Sequence, residues 1–185
     1  MKNHCRMLWL LIPLMSLTNF VSAEEKQSLI GSKAKDWVVS DWINSKPLQI
    51  SDFHGKVLLV RWWTTGCPFC SATAPALNEF YKQYHARGLE VIGFYHHKSS
   101  EPLNVDRVRK GAAELGFHFP IAIDHEWKTL NAWWLRSADK GWTSVSFLID
   151  RQGKIRYIHE GGEYVRGDQA FDEIEQKIEQ LLAER

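Results

Sequence analysis

The sequence predicts a three-layer α/β sandwich, a mixed central β-sheet flanked by helices, and three observations carry that prediction. KVLLVRWW (Lys56 to Trp63) and LEVIGFY (Leu89 to Tyr95) are continuous apolar runs rich in β-branched and aromatic residues, the pattern of strands covered on both faces. A helical apolar spacing lies between them, so they form a strand–helix–strand unit with parallel strands. Near the C-terminus two further apolar runs are joined by a short turn and followed by an amphipathic helix, which adds antiparallel strands to the same sheet.

In chain order, residues 1–23 (MKNHCRMLWLLIPLMSLTNFVSA) combine basic Lys2 and Arg6, an apolar run from Met7 to Met15, and the small residues Val21-Ser22-Ala23. This is the composition of a cleaved secretory signal, and the run falls short of the about 20 apolar residues that a bilayer span needs. Cys5 precedes the run and leaves with the signal, so the expected mature domain covers residues 24–185 and keeps two cysteines. Removing Lys2 and Arg6 from the 23 basic residues leaves 21 against 22 acidic ones, a balance that points to no nucleic-acid or anionic-membrane partner. Residues 24–55 are less regular, and Trp37 to Trp42 and Leu48 to Phe53 are expected to pair as an N-terminal hairpin.

After the first buried strand, Thr64-Thr65-Gly66 breaks the run and Cys67 follows. Pro68 stands where a first helical residue belongs, since its missing N–H costs nothing there. Leu77, Phe80, Tyr81 and Tyr84 recur at helical spacing, which predicts a helix from Pro68 to about Ala86, kinked at Pro75 and ended by Gly88. Beyond the second strand come the polar loop HHKSSEP, a helix from about Val105 to Leu115, a short strand from Phe119 to Asp124, and a helix from Glu126 to Arg136. Ser144 to Asp150 and Ile155 to Glu160 read as a hairpin through Arg151-Gln152-Gly153. Asp168 caps a final helix whose Phe171, Ile174, Ile178 and Leu181 share one face.

The chemistry concentrates in Cys67-Pro68-Phe69-Cys70. A bare C-x-x-C serves redox chemistry, metal binding or neither, and its position in the fold decides among them. A cysteine at a helix N-terminus faces unpaired backbone N–H groups and the positive end of the helix dipole, which favour thiolate. A thiol of pKa about 8.5 is only about 3% thiolate at pH 7, whereas one lowered to about 6.5 is roughly three-quarters thiolate. Cys67 is therefore the candidate nucleophile. Cys70, one helical turn inward, is placed to attack a mixed disulfide at Cys67 and release the reduced partner. Arg61 has two placements open to it: turned toward the sulfurs, where it favours thiolate, or reaching solvent along its methylene stem.

Taken together, these segments resemble the thioredoxin superfamily and, within it, the exported TlpA/ResA-like thiol-disulfide oxidoreductases. The resemblance rests on SDFHGKVLLVRWWTTGCPFCSATAPAL (Ser51 to Leu77) and SFLIDRQGKIRYIHEG (Ser146 to Gly161), and it spans roughly residues 30 to 183. It implies a thioredoxin-like domain, dithiol-disulfide exchange with protein thiols and a redox-partner protein, no cofactor and no metal, and a periplasmic location. It also implies that a cis-proline faces the cysteine pair. Counting back six residues from Asp150 puts Ser144 at that position, so Thr143-Ser144 is expected to be a trans bond on the substrate-pairing edge. Two acids of the resemblance are absent as well. Thr73 stands where relatives often carry a glutamate, and Arg61 where thioredoxin has a buried aspartate.

Two other readings stay open from the residues. Thr64, three residues before Cys67, fits part of a thiol-peroxidase pattern, although Val60 occupies its proline position. His96-His97 suggests a metal-binding or copper-delivery module using the two sulfurs, against the commoner case of solvated loop histidines. Trp62, Trp63, Trp133, Trp134 and Trp142 crowd the segments around the site, mostly as core packing, with the remainder free to form an aromatic wall that receives a peptide.

Overall fold

The computed structural model describes residues 27–135 and 142–184, so the expected secretory signal lies outside the described residues. Six strands form one sheet in the order β1-β4-β3-β2-β5-β6, where β1 is Asp41–Ile43, β2 Val57–Trp63, β3 Leu89–Tyr95, β4 Ile121–Ile123, β5 Ser146–Ile149 and β6 Ile155–His159. β2 and β3 run parallel through seven paired positions, from Val57 opposite Leu89 to Trp63 opposite Tyr95, and β4 continues the parallel set. β5 is antiparallel to β2 and to β6. All residues of β2 and β3 are buried, as their unbroken apolar runs require.

Helices cover both faces unequally. On one face, α1 (Pro68–Tyr84), α2 (Val105–Glu114) and α4 (Gln169–Ala183) pack Leu77, Phe80, Val108, Phe171 and Ile178 against Leu59, Val91 and Ile121. On the other, a short helix α3 (Lys128–Leu130) and the N-terminal segment pack Trp37, Phe53 and Leu130 against Leu58, Ile92 and Phe147. The caps anticipated for α1 and α4 are in place: Asp168 accepts the Phe171 N–H at 2.7 Å, and Pro68 opens α1.

The expected N-terminal hairpin does not form. β1 pairs antiparallel with β4 instead, and Ile50–Phe53 is a 3₁₀ turn. Asn44, at φ 64, turns the chain out of β1 and anchors it by donating to the carbonyls of Phe117 and Phe119. The 3₁₀ turn closes on itself through Asp52, whose carboxylate accepts the Gln49 N–H at 2.8 Å. Pairing with β1 also covers the backbone edge that the three-residue β4 otherwise leaves open.

The helix expected over Glu126–Arg136 is α only from Lys128 to Leu130 and continues as a π turn over Asn131–Leu135. That wider turn lets consecutive Trp133 and Trp134 both reach Phe147, with ring centroids at 5.5 and 6.0 Å. Buried Asp124 starts the segment by accepting the Thr129 and Leu130 N–H groups and the Trp62 indole N–H. Among the described residues no helix is long and apolar enough to cross a membrane.

Candidate active site

β2 delivers the chain to the site and α1 carries it away. Gly66, at φ +74, makes the left-handed step that turns the strand into the helix. Cys67 is then the N-cap residue of α1, in extended conformation, and its Sγ accepts the Cys70 N–H at 3.2 Å. The sulfur thus takes the place that a serine or aspartate oxygen fills at an ordinary N-cap, facing the positive end of the helix. Cys67 and Cys70 are joined as a disulfide, with Cα atoms 5.2 Å apart. Cys67 is half-buried, whereas Cys70 is 2% exposed and packs into the core with Ala74 and Leu77. Cys67 is thus partly open to solvent and Cys70 is closed off from it.

A cavity of about 370 Å³ opens over the pair, walled by Gly66, Phe69, His96, Trp142, Thr143 and Ser144. Thr143 and Ser144, placed on this edge by counting, therefore do stand beside the cysteines. Their peptide bond is trans, as are all peptide bonds among the described residues. Ser144 Oγ accepts the Gly162 N–H at 3.1 Å, which ties the loop after β6 to the edge of the cavity. Thr73, buried one turn beyond Cys70, uses its hydroxyl to accept the Tyr164 N–H at 3.3 Å.

Four of the five tryptophans singled out are core residues. Trp142 differs: it is 50% exposed and meets Phe69 edge to face at 5.2 Å. Phe69 and Trp142 form an aromatic rim beside the half-buried sulfur. Gly161, at φ +136, lies under Trp142 so closely that a Cβ there would sit 2.2 Å from Trp142 Cβ. The Gly161-Gly162 pair was not singled out from sequence, although two glycines directly after a strand are a signal of close backbone approach.

Arg61 does not take the route to solvent that its methylene stem allows. It is 1% exposed, so the route to solvent is excluded, and its contacts are internal: Nη1 donates to Ser146 Oγ at 3.3 Å and Nη2 to the Gly162 carbonyl at 2.6 Å. Its guanidinium lies over the Tyr164 ring, 5.3 Å from the centroid. β2 is flanked by β3 and β5 and covered by α1, so a side chain on that face has only the interior to enter.

His96 departs from the solvated reading as well. Its backbone N–H bonds to the Trp63 carbonyl, its ring packs on Trp127, and Nε2 meets Thr143 Oγ1 at 2.9 Å. Burial, helped by nearby Lys98, pushes its pKa down to about 3, so the ring is neutral at physiological pH. His97 faces away, between the Tyr95 hydroxyl and the Glu101 carbonyl. Among the described residues no three His, Cys, Asp or Glu side chains are grouped to hold a metal ion.

Residues 30–178 match the family model described as Redoxin. This chain belongs to the Redoxin family. It is 31% identical over 159 residues to the thiol-disulfide oxidoreductase ResA of Geobacillus thermodenitrificans, covering 85% of this chain and 81% of that one. It is also 31% identical over 165 residues to ResA of Geobacillus kaustophilus, with coverage of 89% and 84%. Among solved structures, a Chlorobium tepidum protein assigned as the thiol:disulfide interchange protein DsbE superposes with a TM-score of 0.69 over 83% of this chain and 98% of its own. At 24% identity that likeness establishes the thioredoxin-like fold. With its paired sulfurs at the family's redox position, the chain is a thiol-disulfide oxidoreductase of the TlpA/ResA-like type.

Proposed function

We propose that this Redoxin-family protein exchanges disulfides with protein thiols through the CPFC motif, with Cys67 as the sulfur that meets the partner and Cys70 as the resolving sulfur. The observation that carries the assignment is the asymmetry of the pair: half-buried Cys67 caps α1, while Cys70 is sealed in the core one turn inward. In the reducing direction the Cys67 thiolate attacks a partner disulfide, forming a mixed disulfide and expelling one partner thiolate. Cys70, deprotonated, then attacks Cys67 Sγ, forming the Cys67–Cys70 bond and expelling the second partner thiolate. The partner gains two electrons and the pair loses two. In the oxidising direction every step reverses.

Thr143 and Ser144 line the same cavity as the cysteines, and in this reading they receive the partner's backbone, while Phe69 and Trp142 hold its apolar side chains. Residues 1–23 act as a secretory signal and the mature domain works in the periplasm, a compartment where thiol-disulfide exchange has protein clients. The sulfur pair itself stores the two electrons, so the reaction needs no further group.

Incubating purified protein with a folded protein that carries one accessible disulfide tests the reading. Wild type reduces or oxidises it catalytically, Cys67→Ser is inert, and Cys70→Ser accumulates a mixed disulfide visible by mass. Undiminished turnover by Cys67→Ser would refute the assignment.

A further inference from the structure

Arg61 is a buried cation whose charge the oxidised protein leaves without an anion. Its partners are a serine hydroxyl, a main-chain carbonyl and a neutral ring, and its Nε makes no hydrogen bond. Among the described residues no carboxylate is paired with it. Tyr164 is the titratable group facing it, and burial pushes that phenol up, which keeps it neutral. His159 packs edge to face on Tyr164, and His96, neutral here, lies within reach of Arg61's field. An unpaired buried charge is costly, so a fold that retains one is relieved whenever a counter-charge appears nearby.

The cysteine pair becomes one such source of negative charge when it is reduced, and Cys70 lies in the core on Arg61's side of the sheet. Arg61 projects from β2 on the face covered by α1, where the core cluster includes Trp63, Cys70 and Tyr164. Tyr164, under the guanidinium, is hydrogen-bonded to Thr73, one turn beyond Cys70. Gly162, whose carbonyl takes the Nη2 hydrogen bond, is bonded in turn to Ser144 at the edge of the cysteine cavity. The guanidinium is thus linked to Thr73 through Tyr164, and through Gly162 to Ser144, which lines the cavity together with Cys70.

We infer that Arg61 sets the redox poise of the pair, its charge stabilising the reduced state with Cys70 as thiolate and so biasing the protein toward donating its disulfide. The inference rests on the exchange function proposed above and gives it a direction. A client thiolate attacks Cys67 Sγ, the Cys67–Cys70 bond breaks, and the bonding pair leaves on Cys70 Sγ, on the sheet face that also carries Arg61. The client's second thiolate attacks its own sulfur in the mixed disulfide and releases Cys67 as thiolate. The client loses two electrons, the pair gains two, and the two client thiol protons pass to water or to the departing sulfurs. Arg61 touches no reacting atom that the structure shows, so it is a positioning residue acting through charge.

Equilibrating wild type, Arg61→Met and Arg61→Lys against dithiothreitol buffers at pH 7, with alkylation and mass to score the pair, tests the inference. Arg61→Met is expected to lower the equilibrium constant for reduction at least tenfold, about 30 mV toward negative potential, while Arg61→Lys stays within threefold of wild type. A Met variant within threefold of wild type, or a Lys variant displaced as far as Met, overturns it. Should Arg61→Met fail to fold, the Cβ NMR shift of Cys70 in ¹³C-cysteine-labelled Cys67→Ser protein decides. Titration below the about 8.5 of a free thiol supports the inference, and titration at or above it overturns it. A wild type that exchanges no disulfide refutes the functional reading first, and this inference falls with it.

Discussion

Replacing Gly161 by alanine probes the contact between the loop after β6 and the rim of the cavity. Two costs follow from the geometry. At φ +136 an L side chain is strained by about 1–2 kcal/mol. The new Cβ would also meet Trp142 Cβ at 2.2 Å and Cγ at 2.8 Å, atoms close to the main chain that cannot swing away, so the Trp142 backbone must move; overpacking of this kind costs about 1–3 kcal/mol. Gly162 is the control: it too is left-handed, at φ +81, but a Cβ there meets nothing within 4 Å. Both substitutions restrict the unfolded chain equally, so that term cancels in the comparison. Urea unfolding of the oxidised proteins should therefore place Gly161→Ala about 1–3 kcal/mol below Gly162→Ala, or roughly 2–12 °C lower in thermal midpoint. Because the displaced Trp142 leaves Phe69, Gly161→Ala should also slow exchange with a peptide disulfide several-fold, while Gly162→Ala does not. Equal stability of the two variants within about 0.5 kcal/mol would show that Trp142 does not rest on Gly161 as described.

Two further expectations follow from buried groups. His96, held neutral with its pKa pushed down to about 3, binds no proton in the folded protein between pH 3 and 6.5, whereas the unfolded chain does. Stability from this residue is complete above about pH 6.5 and is lost as pH falls through that window, by at most about 5 kcal/mol. His96→Gln, which cannot titrate, should lose at least about 2 kcal/mol less than wild type between pH 7 and 4 in urea midpoints, and an identical loss contradicts the buried neutral ring. Phe80 is fully buried, with its ring 4.8 Å from Phe171, so Phe80→Ala should cost about 3–5 kcal/mol by calorimetry, and less than about 1 would contradict the packing of α4 on α1.

The sequence announced most of the frame because its strands are buried on both faces and its main helices carry clear one-sided spacing. VLLVRWW and LEVIGFY became β2 and β3 with their ends where the apolar runs end. The face of α4 was readable from Phe171, Ile174, Ile178 and Leu181, all buried. Counting from Asp150 put Ser144 beside the cysteines because β5 is continuous and its register is set by β2. What stayed hidden depends on partners distant in the chain. β1 has three residues, and nothing local says that its neighbour is β4, some eighty residues on. The π turn at Asn131–Leu135 arises from the needs of two adjacent tryptophans around Phe147, which no helical period encodes. Arg61 stayed undecided and His96 was read as solvated for a shared reason: both are polar types whose usual place is water, and their burial is imposed by the strand and loop that carry them.

Disulfide exchange through this pair depends on unequal access to the two sulfurs. Reduced protein treated with a limiting amount of iodoacetamide at pH 7, with modification read cysteine by cysteine from peptide masses, measures this directly. Cys67 should be alkylated at least a hundredfold faster than Cys70. Equal rates, or faster modification of Cys70, would contradict the account.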